Sequence, residues 1–122
     1  MIDDEAGIRR LARLLLEEVG FDVDVAADGD EALEYLRERS ETPDLILLDL
    51  TMPRRSGIEV LGEIRRVNTA VPVVLMSGFT ESEVASVLET DPRTSFLQKP
   101  FTGESLQKVV RNALAAGSDS GP

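Results

Sequence analysis

The 122 residues predict a single doubly wound α/β domain: one parallel sheet with helices on both faces. Three observations carry that reading. The hydrophobic period switches repeatedly between a helical stripe and short strand-like runs, giving the order αβαβαβαβα. Leu45-Ile46-Leu47-Leu48 and the Val71–Met76 segment are apolar almost throughout, as parallel strands covered on both faces are. Length and composition, 42% hydrophobic and 30% charged, suit one core that needs no disulfide or metal staple.

Taken in order, Ile8, Leu11, Ala12, Leu15 and Val19 fall on one helical stripe, and Gly20 follows as its C-terminal cap. Phe21, Val23 and Val25 alternate with Asp22 and Asp24, which predicts a strand with one wet face. Asp28-Gly29-Asp30-Glu31 opens a helix carrying Ala32, Leu33 and Leu36. The Leu45–Leu48 run is the next strand. Ser56 and Glu59 have capping-box spacing ahead of Leu61 and Ile64, and Thr80 and Glu83 repeat it ahead of Val84, Val87 and Leu88. Val71–Met76, with Pro72 near its start, and Thr94–Leu97 supply two further strands. Leu106, Val109, Val110 and Ala113 mark a last helix. The domain is expected over residues 1–116, with 117–122 a flexible tail.

Composition removes several classes of chemistry. There is no cysteine and no histidine, which excludes disulfides, thiolate nucleophiles, the usual zinc sites and any imidazole base or carrier. Asp and Glu number 23 against 13 Lys and Arg, a net charge of −10 that repels nucleic acid and anionic membrane surfaces. No apolar run approaches the ~18 residues of a membrane span. Asp3, Asp4 and Glu5 stand where a signal peptide would be basic, so a cytoplasmic location is expected.

In a sheet of this kind ligands bind beyond the carboxyl ends of the strands. Asp49 ends one apolar run, Ser77-Gly78 ends another, Lys99 follows Phe96-Leu97-Gln98, and Asp3-Asp4-Glu5 precede the first helix. Each has an ordinary alternative: a turn aspartate, a strand-end turn, a solvated lysine, acids favouring a helix N-terminus. Yet a carboxylate straight after four aliphatics is costly to desolvate without compensation. Lys99 is also one of only two lysines, against 11 arginines. Together the carboxylates need a cation, and oxygen ligands without His or Cys suit Mg²⁺. With a lysine and a hydroxyl beside them, the edge suits a phosphoryl group, and the central carboxylate can act as nucleophile to give an acyl phosphate.

Asp3-Asp4-Glu5, Leu47 to Pro53, Ser56-Gly57, Met76-Ser77-Gly78 and Gln98-Lys99-Pro100-Phe101, in this order and at these spacings, resemble the receiver domain of two-component response regulators. The resemblance covers essentially the whole chain. It implies a flavodoxin-like fold with strand order 2-1-3-4-5. By match, Asp49 is the phospho-acceptor, and Asp4 a direct Mg²⁺ ligand, with Asp3 acting through a metal-bound water. The Thr51 backbone carbonyl is a further ligand. Ser77 is the switch hydroxyl, Lys99 the phosphate partner before a cis proline, and Phe96 the switch aromatic. Thr51 and Phe79 sit where side chains screen the acyl phosphate. The implied partner is a histidine kinase or histidine phosphotransfer domain, since this chain has no histidine of its own. The face around Phe96 and after Lys99 is one the family uses for partners or homodimers. Such a domain catalyses its own phosphorylation and dephosphorylation without being a turnover enzyme alone. The wording around Ser77 and Lys99 is similar to receivers at the C-terminus of hybrid sensor histidine kinases.

One departure stands out. The family's first strand is about five aliphatics and central in the sheet, whereas only Met1 and Ile2 precede Asp3. The expectation is an N-terminally short chain whose first strand is truncated; taken as complete, it would be of low stability or exchange strands with another copy. Two rival readings are a pseudo-receiver that binds protein without being phosphorylated and a metal-dependent aspartyl phosphatase. The first would be favoured by loss of Asp49, Asp4 or Lys99, all present. The second needs an acid–base aspartate where Thr51 stands.

Overall fold

The computed structural model describes residues 1–38, 43–50, 57–67, 70–78, 85–91 and 93–118. Helix α1 (Ala6–Glu18) is followed by α2 (Gly29–Glu38), β1 (Ile46–Asp49), α3 (Gly57–Val67), β2 (Val73–Ser77), α4 (Ala85–Thr90), β3 (Thr94–Gln98) and α5 (Gly103–Ser118). The strands form a parallel sheet in the order β1-β2-β3. Ile46 pairs with Val73 and Asp49 with Met76; Val73 pairs with Thr94 and Ser77 with Gln98. All nine residues of β1 and β2 are buried, because helices cover both faces.

Two apolar clusters lie on either side. On one, Val60, Leu61 and Ile64 of α3 and Ala32 and Leu33 of α2 pack on Ile46, Leu48, Val73 and Leu75; Val87, Leu88 and Phe96 border them. On the other, Ala12 and Leu16 of α1 and Leu106, Val110 and Ala113 of α5 pack on Leu47, Val74, Met76 and Leu97. The buried stripe of α1 is centred one position away from the expected one. Leu16 is buried, whereas Leu11 is 46% exposed, since Ala12 and Leu16 are the residues turned onto the sheet and α5.

Local signals account for several helix ends. Gly20, at φ +97°, donates its N–H to Glu17 O and ends α1 in the left-handed region that only glycine enters freely. Asp28 Oδ1 accepts the Glu31 N–H at 2.8 Å, while Glu31 Oε2 accepts the Ala27 N–H at 3.3 Å, a reciprocal cap on α2. Thr102 and Ser105 exchange bonds at the start of α5. Ser56, Thr80 and Glu83, expected in capping boxes, lie outside the described residues, as do residues 119–122 of the expected tail.

The strand expected over Phe21–Val25 does not form. Its alternation is present, with Phe21, Val23 and Val25 half-buried and Asp22 and Asp24 exposed, but no ladder runs along it. The cause is the neighbour it lacks. Ile2 alone bridges both sides, to Ala26 and to Leu48, each in parallel sense. Ile2 N–H donates to Leu47 O at 2.7 Å and Asp49 N–H to Ile2 O at 2.9 Å. On the far side Ala26 N–H donates to Met1 O at 2.8 Å and Asp3 N–H to Ala26 O at 3.2 Å. Among the described residues, Met1, Ile2 and Asp3 bond Ala26 on one side and β1 on the other, and Phe21–Val25 forms no ladder. Among the described residues β1, β2 and β3 follow one another as the expected order has its last three strands, and on the other side of β1 there are only the single bridges Leu48 to Ile2 and Ile2 to Ala26.

Candidate functional site

The carboxyl ends of Ile2, β1, β2 and β3 meet at one edge of the sheet, and each delivers a polar residue there. Asp3 follows the bridging Ile2 and is fully buried. Asp49 closes β1 at 1% exposure, and Ser77 closes β2, fully buried. Lys99 follows β3; its N–H donates to Ser77 O at 2.7 Å, and the Lys99–Pro100 bond is cis, as expected. Asp4 is exposed at the mouth. A carboxylate oxygen from each of Asp3, Asp4 and Asp49 lies within 4.8 Å of the others.

Lys99 ties the group together. Its ammonium donates to Asp3 Oδ2 at 2.8 Å and stands 3.3 Å from Asp49 Oδ2. Asp3 Oδ1 also accepts the Glu5 N–H at 2.9 Å, at the head of α1. Burial pushes the Asp3 carboxyl above the usual aspartate value and the Asp49 charge adds to that, while the bonds from Lys99 and the Glu5 N–H pull it back. Burial draws the Lys99 ammonium down, but the bond to Asp3 and the charges of Asp49 and Asp3 outweigh it and hold it above the ordinary lysine value. The base therefore stays charged, and Asp3 feels both desolvation and the neighbouring Asp49. Three carboxylates against one ammonium leave two negative charges in a partly dry site, an arrangement a divalent cation with oxygen ligands would relieve. The residues fit such an ion. The Thr51 carbonyl, expected as another ligand, and Phe79 lie outside the described residues.

Phe96, expected as a switch residue, is half-buried on β3 opposite Leu75 and packs on the α2–α3 side of the sheet. It shares a strand with the site without belonging to the acidic group. Arg9, which sequence reading passed over, and Gly57, which it named only as part of a motif, support the edge. Arg9, one turn into α1, donates from Nη1 to Asp3 O at 2.6 Å and holds the backbone that carries the buried acid. Nothing in the sequence separates it from other surface arginines. Gly57 starts α3 with its N–H bonded to Leu50 O at 3.2 Å. A side-chain carbon there would fall 2.5 Å from Asp49 O and from Leu50 Cα, so only glycine lets α3 approach β1 this closely. Its place beside Ser56 was visible, but its reason was not.

A row of strand-end polar groups around a buried Asp–Lys pair, on a parallel sheet covered by helices, is the arrangement expected of a receiver domain. The chain belongs to the response regulator receiver domain family, which it matches over residues 1–111. It is 39% identical over 122 residues to the alkaline phosphatase synthesis transcriptional regulatory protein SphR of Synechococcus elongatus, covering 93% of this chain and 47% of that protein. It is 32% identical over 114 residues to the sensor kinase CckA of Brucella abortus, covering 93% of this chain and 12% of the kinase. The solved receiver domain of NtrX from Brucella abortus superposes with a TM-score of 0.81 at 33% identity, covering 93% of this chain and 95% of that one. The chain thus spans less than half the length of these two full-length relatives. The family works in two-component signalling, in which receivers act with histidine kinases. Among the described residues, no helix is long and apolar enough to cross a membrane.

Proposed function

We propose that this receiver takes a phosphoryl group onto Asp49 from a phosphohistidine of a histidine kinase or histidine phosphotransfer domain. The observation that carries the reading is the Lys99 ammonium placed between the buried carboxylates of Asp3 and Asp49, with Asp4 beside them at the mouth. An Asp49 oxygen attacks phosphorus, the phosphorus–nitrogen bond breaks, and the ring nitrogen leaves with the electron pair. Lys99, already charged and within reach of Asp49 Oδ2, pairs with the phosphoryl oxygens; its bond to Asp3 aims it beforehand. Asp4 and Asp49, with Asp3 through a water and the Thr51 carbonyl, would hold Mg²⁺, which supplies charge neutralisation for the phosphoryl group.

Ser77, at the end of β2, is the hydroxyl that moves to the new phosphoryl group, and Phe96 on the adjacent strand turns with it. The face carrying Phe96 and the segment after Lys99 then changes shape for a partner or a second copy. The domain works in the cytoplasm. Its likeness to a segment of CckA supports a hybrid kinase as parent, and its likeness to SphR supports a regulator with an output domain.

Intact mass after incubation with acetyl phosphate, with and without Mg²⁺, tests the reading. One phosphoryl adduct that needs Mg²⁺ and is absent from Asp49→Ala is the expected result. A folded sample that takes no adduct would overturn it in favour of a module that binds protein without being phosphorylated.

A further inference from the structure

The peptide between Asp3 and Asp4 joins two of the three acids that gather at the site, one fully buried and one exposed. The Asp3 carboxylate is fixed twice over, by the Lys99 ammonium on Oδ2 at 2.8 Å and by the Glu5 N–H on Oδ1 at 2.9 Å. Among the described residues no bond holds the Asp4 side chain, so its aim depends on the backbone that carries it. Strand pairing stops just short of that backbone. Asp3 N–H donates to Ala26 O at 3.2 Å, and the same parallel register would next bring the Asp28 N–H to Asp3 O. By Asp28, however, the chain has turned to cap α2. Asp3 O is taken by the Arg9 guanidinium instead, with Nη1 at 2.6 Å.

We propose that Arg9 is a positioning residue of the cation site: by holding the Asp3 carbonyl it fixes the plane of the Asp3–Asp4 peptide, and so presents Asp4 beside Asp3 and Asp49. The inference rests on the reading that these acids hold Mg²⁺. Arg9 is half-buried in the first turn of α1, and its own N–H donates to Glu5 O at 3.0 Å, so the guanidinium reaches Asp3 from a rigid element. Its planar head gives a directional bond that a solvated lysine would not. Among the described residues that guanidinium pairs with no carboxylate, so it does not compete with a cation for their oxygens. Charge and position also pull in opposite directions here. Removing a nearby positive charge strengthens the binding of a cation, whereas loosening the peptide between two of its ligands weakens it.

The probe is Mg²⁺ alone, titrated into the 122-residue chain and followed by amide shifts, beside Arg9→Gln and Arg10→Gln. Gln at position 9 is neutral and ends short of the Asp3 carbonyl; Arg10 is an exposed neighbour of the same charge. Arg9→Gln is expected to weaken Mg²⁺ binding on the order of tenfold, and Arg10→Gln to leave it unchanged or slightly tighter. Equal or tighter binding by Arg9→Gln would overturn the proposal, as would an equal loss in Arg10→Gln. Melting temperature is read alongside, because a merely structural role would lower it and leave the affinity of the folded chain alone, which also counts against the proposal. The unmutated chain gives a reading that needs no variant: before Mg²⁺ is added, the Arg9 side-chain nitrogens should show hindered rotation, and a freely turning guanidinium would refute the bond. If the unmutated chain takes up no Mg²⁺ at millimolar concentration, the reading of the acids as a cation site fails and this one with it; binding that ignores Arg9 sinks this one alone.

Discussion

Asp3 and Asp49 are buried carboxylates that share one ammonium; burial is the main cost to the Asp3 charge, and repulsion from Asp49 adds to it. Neutralising one of them should therefore stabilise the apo protein. Asp49→Asn keeps the shape, leaves Lys99 to Asp3, and is expected to raise stability by about 1 kcal/mol, a rise of roughly 4 °C in melting temperature. Thermal unfolding in the absence of divalent ions reads this directly, and a lower midpoint would show that the Lys99–Asp49 pair outweighs the repulsion. Gly57 is the opposite case, a residue with no charge whose value is the space it leaves. Gly57→Ala drives a methyl into Asp49 O and Leu50 Cα, and is expected to cost about 1–3 kcal/mol in urea unfolding.

At the scale of elements, the termini of strands do more than their interiors. Arg65 at the end of α3 donates to Asp91 at 2.6 Å, to Val71 O at 2.6 Å and to Arg93 O at 3.3 Å, tying together the entrances of β2 and β3. Opposite, at the other end of the sheet edge, the Met1 amine donates to Asp24 O at 2.7 Å. Burial lowers that amine to about 6 from 8.0, with the Asp24 charge pulling the other way. The folded value lies below the unfolded one, so the unfolded chain binds the extra proton between them. A polypeptide that starts at Met1 should then gain stability as pH rises from about 6 to 8 and be flat above that range. Urea midpoints across that window check it, beside an N-acetylated chain in which this increment should vanish.

For the whole molecule, unequal pairing predicts unequal stability. β1 and β2 are buried on both faces and bonded on both sides near Asp49, whereas along Phe21–Val25 there is no ladder, only the Phe21 N–H on Leu16 O and the Met1 amine on Asp24 O, with the bridge at Ala26 beyond. Native-state amide exchange is expected to be slowest at Leu48, Leu75 and Met76 and faster by orders of magnitude at Asp22 to Val25. Equal protection in the two regions would mean that Phe21–Val25 pairs after all. Much of this fold was legible because its signals are local: apolar runs covered on both faces, a glycine at the end of α1, an aspartate at the head of α2. Asp49, Ser77 and Lys99 were legible for the same reason, as polar residues straight after apolar strands. The Phe21–Val25 strand was misread because alternation reports burial on one side, while a strand exists only with a bonded neighbour. The centre of the α1 stripe was off by one position because Leu11 and Leu16 are equally apolar, and only docking against α5 chooses between them. By itself, then, the sequence determined the order of elements apart from the Phe21–Val25 segment, and the sheet edge at which the acids and the lysine gather. The tertiary structure alone decided that Lys99 meets Asp3 across 96 positions and that Arg9 and Gly57 shape the site. These depend on distances between residues far apart in the chain, which periodicity and local propensity do not encode.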